Sequence, residues 1–415
     1  MFTLWKRLLG LDGATVVERV ELDEEGRVIV HVRPRRGLKR RCGRCFRPAA
    51  GYDEGEGRRL WRGLDLGSTM VFLQGAACRV NCGSCGITVA SVPWARHGAR
   101  HTRQFEDTVA WLVTRASKST VAELMRVGWR TVGSIMGRVE SDVSASIDRL
   151  QGVRRIGIDE IAYKKYHKYL VVVIDLDSGR VVWAAPGRTK QTMRAFFDAL
   201  GERRCALLTH VCSDEASWIS QVVAERCPQA VRVADPFHVV AWATGALDRL
   251  RRQVWNEAAG RVRGERGGGI ARRLKGSRYA LWKNPENLTA RQQAQLDWIA
   301  HTDRRLWRGY RLKEGLRAVF KVKGEEGKAL LGRWLSWAQR SRISFFVEVG
   351  RAIRRHRQAI DAALEHGLSN SLAESTNTKI RLLTRLAYGF HHPAPLISLI
   401  LLALGGYQPS LPGRT

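Results

Sequence analysis

Negative charge is scarce in this chain. Against 70 Lys and Arg stand 39 Asp and Glu in 415 residues, a formal net charge of +31. So basic a balance implies a polyanionic partner. Nucleic acid is the first candidate, because counterion release from phosphates favours basic proteins, and an anionic membrane surface is the rival. Long apolar runs are missing too. The start, Met1 to Arg7, lacks a signal-peptide apolar run and cleavage site. The most apolar late segment, Ala394 to Leu404, falls well short of the ~20 residues a membrane helix needs. A soluble intracellular protein is expected. Eight cysteines in a chain of this length do not make a disulfide framework. With no repeat and no low-complexity tract, the length is read as two to four ordinary domains.

Residues 14–33 alternate apolar and polar around Asp23-Glu24-Glu25-Gly26, which predicts a β-hairpin, so 1–36 is set apart as an N-terminal hairpin region. Residues 37–95 hold paired cysteines among Gly, Pro and Arg. Residues 100–148 have helical spacing. From about 150 to 262 strands and helices alternate, which argues an α/β layer. Its expected strands include one ending at Asp159, Lys164 to Asp175, Arg180 to Pro186, Ala206 to Cys212 and Ala230 to Ala234. Thr189 is the expected cap of a helix reaching Leu200, and a long helix starts at Pro236. The glycine-rich break at 264–269 opens a segment, 263–365, that reads as an all-helical insertion rich in Arg, Lys, Trp and Gln. The α/β material is expected to resume over 366–410.

Cys42-Gly43-Arg44-Cys45 and Cys82-Gly83-Ser84-Cys85 form two C-x2-C pairs. Each is a tight turn whose sulfurs converge, and four thiolates suit tetrahedral, structural Zn2+ with no open position. Cys78 is a weaker substitute for Cys82. Cys205, Cys212 and Cys227 fall in or near apolar runs and read as small buried side chains. Downstream, Gln104 to Ala116 is an amphipathic helix. Thr120 and Glu123 match a capping box, with Ala122, Leu124 and Val127 facing inward. Gly128 breaks the helix, and Val132, Ile135 and Met136 resume the period. This fits a helix-turn-helix with Arg130, Thr131, Ser134 and Arg138 on the outer face of the second helix.

Three acids remain. Asp159 follows Gly157-Ile158, Asp214 follows Cys212-Ser213, and Glu374 lies in Ser371-Leu372-Ala373-Glu374. Phosphoryl transfer on nucleic acid commonly uses two metal ions ~4 Å apart, and Mg2+ accepts a few carboxylates plus water and phosphate. Each acid also has a structural reading, as turn residue, helix cap or capping box. Asp235 precedes Pro236 and reads as an N-cap. His238 reads as a satisfied histidine, and both could support the acids without touching a metal. Asn377 and Arg381 share a helix face with Glu374. They, with Lys379 and Arg385, are candidates for phosphate contact.

In combination the segments Gly157-Ile158-Asp159-Glu160, Cys212-Ser213-Asp214, Ala234-Asp235-Pro236-Phe237-His238-Val239, Leu274-Lys275-Gly276-Ser277-Arg278-Tyr279, Ala373-Glu374-Ser375-Thr376-Asn377-Thr378-Lys379-Ile380 and Tyr388-Gly389-Phe390 resemble the ISL3 family of bacterial insertion-sequence transposases over nearly the whole chain. Ser375 stands where that family often has Gly. The resemblance implies a multidomain α/β protein. Its RNase H-like catalytic core would carry an all-helical insertion and follow a zinc ribbon-like module and a helix-turn-helix. It implies a DDE triad of Asp159, Asp214 and Glu374 holding two Mg2+ (or Mn2+). It also implies recognition of terminal inverted repeats in double-stranded DNA, end cleavage and strand transfer, at least a homodimer in the DNA complex, and a cytoplasmic, nucleoid-associated location. Two alternatives stay open: a metal-dependent nuclease of the same core without strand transfer, and a catalytically inactive DNA-binding regulator.

Overall fold

The computed structural model describes residues 2–164, 168–213, 216–260, 265–366, 371–409 and 411. The chain divides into two compact units, one of Met1–Gln151, Tyr163–Lys168 and Thr378–Thr415, the other of Gly152–Ala162 and Tyr169–Asn377.

In the first unit, helix α1 (Phe2–Leu8) precedes β1 (Thr15–Leu22) and β2 (Val28–Pro34). The expected hairpin is present, and its turn is held by Asp23. Oδ1 of Asp23 accepts the Arg27 N–H at 2.8 Å and the Glu25 N–H at 3.1 Å. Strands β3 (Ala50–Asp53), β4 (Arg58–Arg62), β5 (Val71–Ala76), β6 (Arg79–Cys82) and β7 (Gly86–Val89) follow. They complete two sheets, of order β1-β2-β5-β4 and β3-β6-β7. Because β2 runs parallel to β5, with Val28 opposite Val71, strands on both sides of the expected boundary at 36/37 share one sheet. A lone hairpin cannot bury its apolar face. Here Val28, Val30 and Val32 are buried with Trp61, Val71, Leu73 and Trp94.

Helices α2 (Arg103–Val113), α3 (Lys118–Leu124) and α4 (Trp129–Ser146) come next. Thr102 caps α2, accepting the Phe105 N–H at 3.3 Å. The cap of α3 is Ser117, which accepts the Thr120 N–H at 3.1 Å, so Thr120 is inside the helix rather than at its cap. The inward residues of α3 are Val121 and, partly, Ala122 and Met125; Leu124 lies off that stripe and is 63% exposed, against expectation.

The second unit is built on β8 (Arg155–Lys164), β9 (Lys168–Asp175) and β10 (Val181–Pro186), then α5 (Lys190–Leu200), α6 (Glu202–Cys205), β11 (His210–Ser213), α7 (Ser217–Arg226) and β12 (Val231–Ala234). The sheet has order β10-β9-β8-β11-β12. β10 is antiparallel to β9, and β11 is parallel to both β8 and β12. The central strands are almost continuously buried, as sheets covered on both faces require. Thr189 caps α5 as expected, through the Thr192 N–H at 3.2 Å. β11 starts only at His210; Ala206 and Leu207 close the turn after α6, and Leu207 is exposed.

A helical array follows: α8 (Pro236–Gly260), α9 (Glu265–Gly276), α10 (Arg278–Trp282), α11 (Ala290–Thr302), α12 (Arg304–Val319), α13 (Gly324–Arg340), α14 (Ser344–Arg355) and α15 (Arg357–His366). Its core contains Leu247, Leu250, Leu306, Leu316 and Phe346. The spine is α8, so the array begins before residue 263. On α12, Gly309 lets the helix approach α8; a Cβ there would sit 2.6 Å from Leu250 Cδ2. The last helix of the array turns onto the sheet, where Ala362 and Ala363 of α15 pack with Leu176, Cys212 and Val233.

The chain ends in α16 (Ser371–Leu386) and α17 (Pro393–Leu404). The segment 366–410 is not wholly a continuation of the α/β layer. Residues through Asn377 belong to the second unit, whereas Leu383, Leu399 and Leu402 are buried with Phe105, Val109, Ile135 and Val139 in the first. The apolar stripe of α17 matches that of α2 and α4, which explains the change of partner.

Candidate active site and metal centre

Asp159 lies within β8, not at its end; the strand continues to Lys164. The last described residue of β11, Ser213, pairs with Ile158. Asp159 therefore follows the last residue of β8 that pairs with a described residue of β11. Side chains alternate along a strand, so Asp159 shares a face with Gly157 and, across the register, with Cys212 and Val233. It is 9% exposed. A carboxylate this buried needs hydrogen-bond partners. Oδ1 accepts the Glu160 N–H at 2.7 Å, and Oδ2 accepts Nδ2–H of Asn377 at 2.6 Å. Glu160, on the opposite face, is ion-paired with Arg188. Asp214 lies outside the described residues.

Asn377 is on α16 with Glu374 one turn earlier, so the two project from one helix face. Glu374 is half-buried and Asn377 is 4% exposed. Asn377 is thus not placed for the expected phosphate contact: it is buried alongside Ala373, Thr376 and Ile380 and committed to Asp159. Its Oδ1 has no hydrogen-bond partner among the described residues. Lys379, Arg381 and Arg385 are exposed on the same helix. The donors gathered here are hard oxygens, the type Mg2+ and Mn2+ take, and a buried amide oxygen without a donor fits a cation better than it fits a packed core.

Asp235 follows β12, whose Ala234 pairs with Ser213. It is almost fully buried, and its roles are those of an N-cap: Oδ1 accepts the Phe237 N–H at 3.2 Å, and Oδ2 accepts Nδ1–H of His238 at 2.9 Å. Nearby is a cleft of about 790 Å³ lined by Arg188, His238, Trp242, Arg249, Arg252 and Arg355. The sequence reading passed over these arginines. Arg188 precedes the cap of α5; for Arg249, Arg252 and Arg355 the only signal is the density of Arg along α8 and α14, and nothing in that density shows that the two helices face one cavity.

The cysteines converge as expected. The sulfurs of Cys42, Cys45, Cys82 and Cys85 all lie within 4.8 Å of one another, and Cys78 is outside the group. The first turn packs tightly, since a Cβ on Gly43 would run into His97 Nδ1 and the Val89 carbonyl. Burial alone would push the Cys42 thiol up, but hydrogen bonds from the Cys45 and Arg44 amides and the Cys45 and Cys82 thiols bring it down to about 7. Cys85, half-buried and hydrogen-bonded to Cys45, is pushed up to about 12, chiefly by that bond. The Cys42 thiolate thus forms readily, and Cys85 requires an electrophile in place of its proton, which suits Zn2+.

In the helical segment, Arg130 and Ser134 are exposed and Thr131 is half-buried. Arg138 turns inward instead. It donates from Nε at 2.9 Å and Nη2 at 2.6 Å to the fully buried Glu106 of α2. Arg96 reaches the same carboxylate at 3.4 Å and also Asp107 at 2.7 Å and Asp142 at 2.9 Å. Burial raises the Glu106 carboxyl while the two arginines work against that rise. Arg138 therefore ties α4 to α2, a role that helical periodicity does not separate from an outward one.

A family model for ISL3-type DDE transposases, described as "Transposase", matches residues 156–400, more than half of the chain. The chain belongs to the ISL3 family of transposases. A second model, the helix-turn-helix domain of transposase family ISL3, matches residues 90–139. The transposase for insertion sequence element IS1557 of Mycobacterium tuberculosis is 58% identical over 431 aligned positions, covering 99% of this chain and 97% of that one. The transposase for insertion sequence element IS1001 of Bordetella parapertussis is 28% identical, covering 90% and 91%. The transposase thus has a DNA-binding helix-turn-helix and a DDE transposase domain, and no helix among its described residues is long and apolar enough to cross a membrane.

The two arginine roles separate by mutation. Arg138→Ala leaves Glu106 buried with one partner fewer and is expected to lower stability by about 2 kcal/mol in urea unfolding. Arg130→Ala should stay within about 0.5 kcal/mol of the parent and weaken DNA binding in fluorescence anisotropy. The reverse pattern would return Arg138 to the outer face.

Proposed function

We propose that the second unit is an RNase H-like nuclease and strand-transfer core whose divalent cations are held by Asp159, Asp214 and Glu374. The observation that carries this is Asp159, a buried carboxylate one residue beyond the Ile158–Ser213 pair, met by a helix bearing Glu374. The mixed sheet order β10-β9-β8-β11-β12 supports the RNase H-like reading. Asp214 enters from the sequence pattern Cys212-Ser213-Asp214. A bound pair of Mg2+ or Mn2+ would supply Lewis-acid activation of the attacking oxygen and charge relief at the leaving one. Asp159 and Glu374 hold their oxygens in place for that role. Water oxygen bonds to phosphorus as the P–O3′ bond at the element's end breaks, leaving a 3′-OH. That 3′-oxygen then attacks a target phosphorus in line, and a second P–O3′ bond breaks, with no covalent enzyme intermediate. Asp159→Asn, Asp214→Asn and Glu374→Gln should each reduce Mg2+-dependent end cleavage at least about a hundredfold, from the several kcal/mol such sites supply, with end binding intact. Full activity in all three variants would sink the mechanism, and cut ends that never join to target would leave only a nuclease.

The first unit recognises the terminal inverted repeats, with Zn2+ on the four cysteines fixing the β3-β6-β7 module and Arg130, Thr131 and Ser134 reading DNA. Small sheets of this size need a staple. Zinc removal by a chelator, or Cys42→Ser, is expected to lower the unfolding temperature of this unit and to abolish specific end binding. Equal affinity of the metal-free and zinc-loaded protein for an end fragment would remove zinc from recognition.

The cleft at Arg188, Arg249, Arg252 and Arg355 carries a DNA strand along the second unit, with Trp242 as an apolar floor. Arg252→Ala with Arg355→Ala should lower the slope of log affinity against log salt by about 2, one for each phosphate no longer neutralised. An unchanged slope would take the strand elsewhere.

A further inference from the structure

We propose that the side-chain carbonyl of Asn377 is itself a ligand of the divalent cation that Asp159 holds. This rests on the reading of Asp159 as a metal-bearing carboxylate and adds a neutral oxygen to the acidic triad.

The orientation of the amide carries the argument. Nδ2–H donates to Asp159 Oδ2 at 2.6 Å. Reversing the amide would set a carbonyl oxygen against a carboxylate oxygen with no proton between them, so Oδ1 must be the atom left over. That atom is buried, on a residue 4% exposed, and no described donor reaches it. Buried carbonyl oxygens are paired in the great majority of folded proteins. The exceptions point to a missing partner, and beside a carboxylate in a metal-type donor set the missing partner is a cation. Amide oxygens are accepted by hard divalent ions.

The residue type fits two tasks at once. Only a carboxamide both donates an N–H and offers a carbonyl oxygen from one short side chain. Asp at 377 would offer oxygen but set like charges about a hydrogen-bond length apart until metal arrives. Leu would fill the volume and offer nothing. Because Glu374 lies one turn before it, α16 presents a carboxylate and an amide oxygen from one face. Asn377 thus orients Asp159 through its N–H and completes the coordination through its carbonyl.

Mn2+ titration of the full-length, zinc-loaded protein, by calorimetry and by loss of the free-ion paramagnetic resonance signal, tests this without catalysis. Asn377→Leu is expected to weaken Mn2+ binding at least about tenfold. Asn377→Asp keeps an oxygen ligand and is expected to bind Mn2+ at least as well as the parent, and Mn2+ should raise its melting temperature more than the parent's, since metal relieves the carboxylate repulsion. Were Asn377 only an orienting donor, the Asp variant would lose affinity as the Leu variant does, and that result overturns the ligand assignment. Parent-like affinity in Asn377→Leu overturns it as well. If Asn377→Leu does not fold, the Asp variant alone decides, by affinity and by metal-dependent melting. Asp159→Asn is the control: parent-like Mn2+ binding there refutes the reading of Asp159, whereas loss there with both Asn377 variants unchanged refutes only the further ligand.

Discussion

One hydrogen bond joins the two ends of the catalytic unit. Asn377 and Asp159 are 218 residues apart and meet at 2.6 Å. Closing a flexible loop of that length costs about 5 kcal/mol in chain entropy, more than the roughly 1.5–3 kcal/mol that a hydrogen bond to a charged group returns. The bond cannot bring α16 to the sheet; it can only fix what other packing has already brought there. That packing is the helical array. Its core around Leu250, Leu306 and Phe346 orders the intervening chain, and α15 delivers it to the sheet by seating Ala362 and Ala363 against Cys212 and Val233. The array is therefore part of how the site is assembled, whatever else it contacts.

The same economy of acids governs the rest of the molecule. With 39 acidic residues against 70 basic ones, many carboxylates are found at joints between elements. Glu106 and Asp142 hold Arg96, Arg103 and Arg138 where the helices of the first unit meet. Asp248 holds Arg251 and Arg252 along α8, and Asp361 holds Arg357 on α15. Where such an arginine is buried, as Arg96 and Arg251 are, it is structural; exposed basic residues, Arg252 among them, carry the excess charge outward. A chain built this way offers a polyanion its exposed basic residues, so burial as well as the total of +31 bears on which arginines can reach one.

The cysteine module shows a related constraint at small scale. Strands β3, β6 and β7 are four residues each and bury few large side chains. Four converging sulfurs replace the core they lack. The requirement reaches beyond the sulfurs. Gly43 must be bare because the Val89 carbonyl and His97 press against it, and its N–H donates to that carbonyl at 3.2 Å. The turn that presents Cys42 and Cys45 is thereby fixed to the end of β7, next to the turn bearing Cys82 and Cys85.

Spacing made the sulfur cluster, the hairpin, the three helices and the alternation of strands and helices legible, because each is a local pattern whose period or spacing is written in the sequence. What was not legible is where patterns cross. Hairpin β1–β2 needed β5, and α17 needed α4, and neither partner leaves a trace in the other's sequence. Strand β8 continues past Asp159 to Lys164, so the residue that read as a strand end lies inside the strand. Arg138 and Asn377 share this origin. Helical periodicity gives the residues of a face, not whether the face looks in or out. For Asn377 the answer was nevertheless at hand: Ala373, Thr376 and Ile380 mark the buried side of α16, and Asn377 lies among them. A polar residue inside an apolar stripe has to be satisfied from the core, and beside an acid its partner is that acid. The stripe therefore puts Asn377 on the core side of α16, where it meets Asp159, and leaves Lys379, Arg381 and Arg385 on the exposed side of that helix.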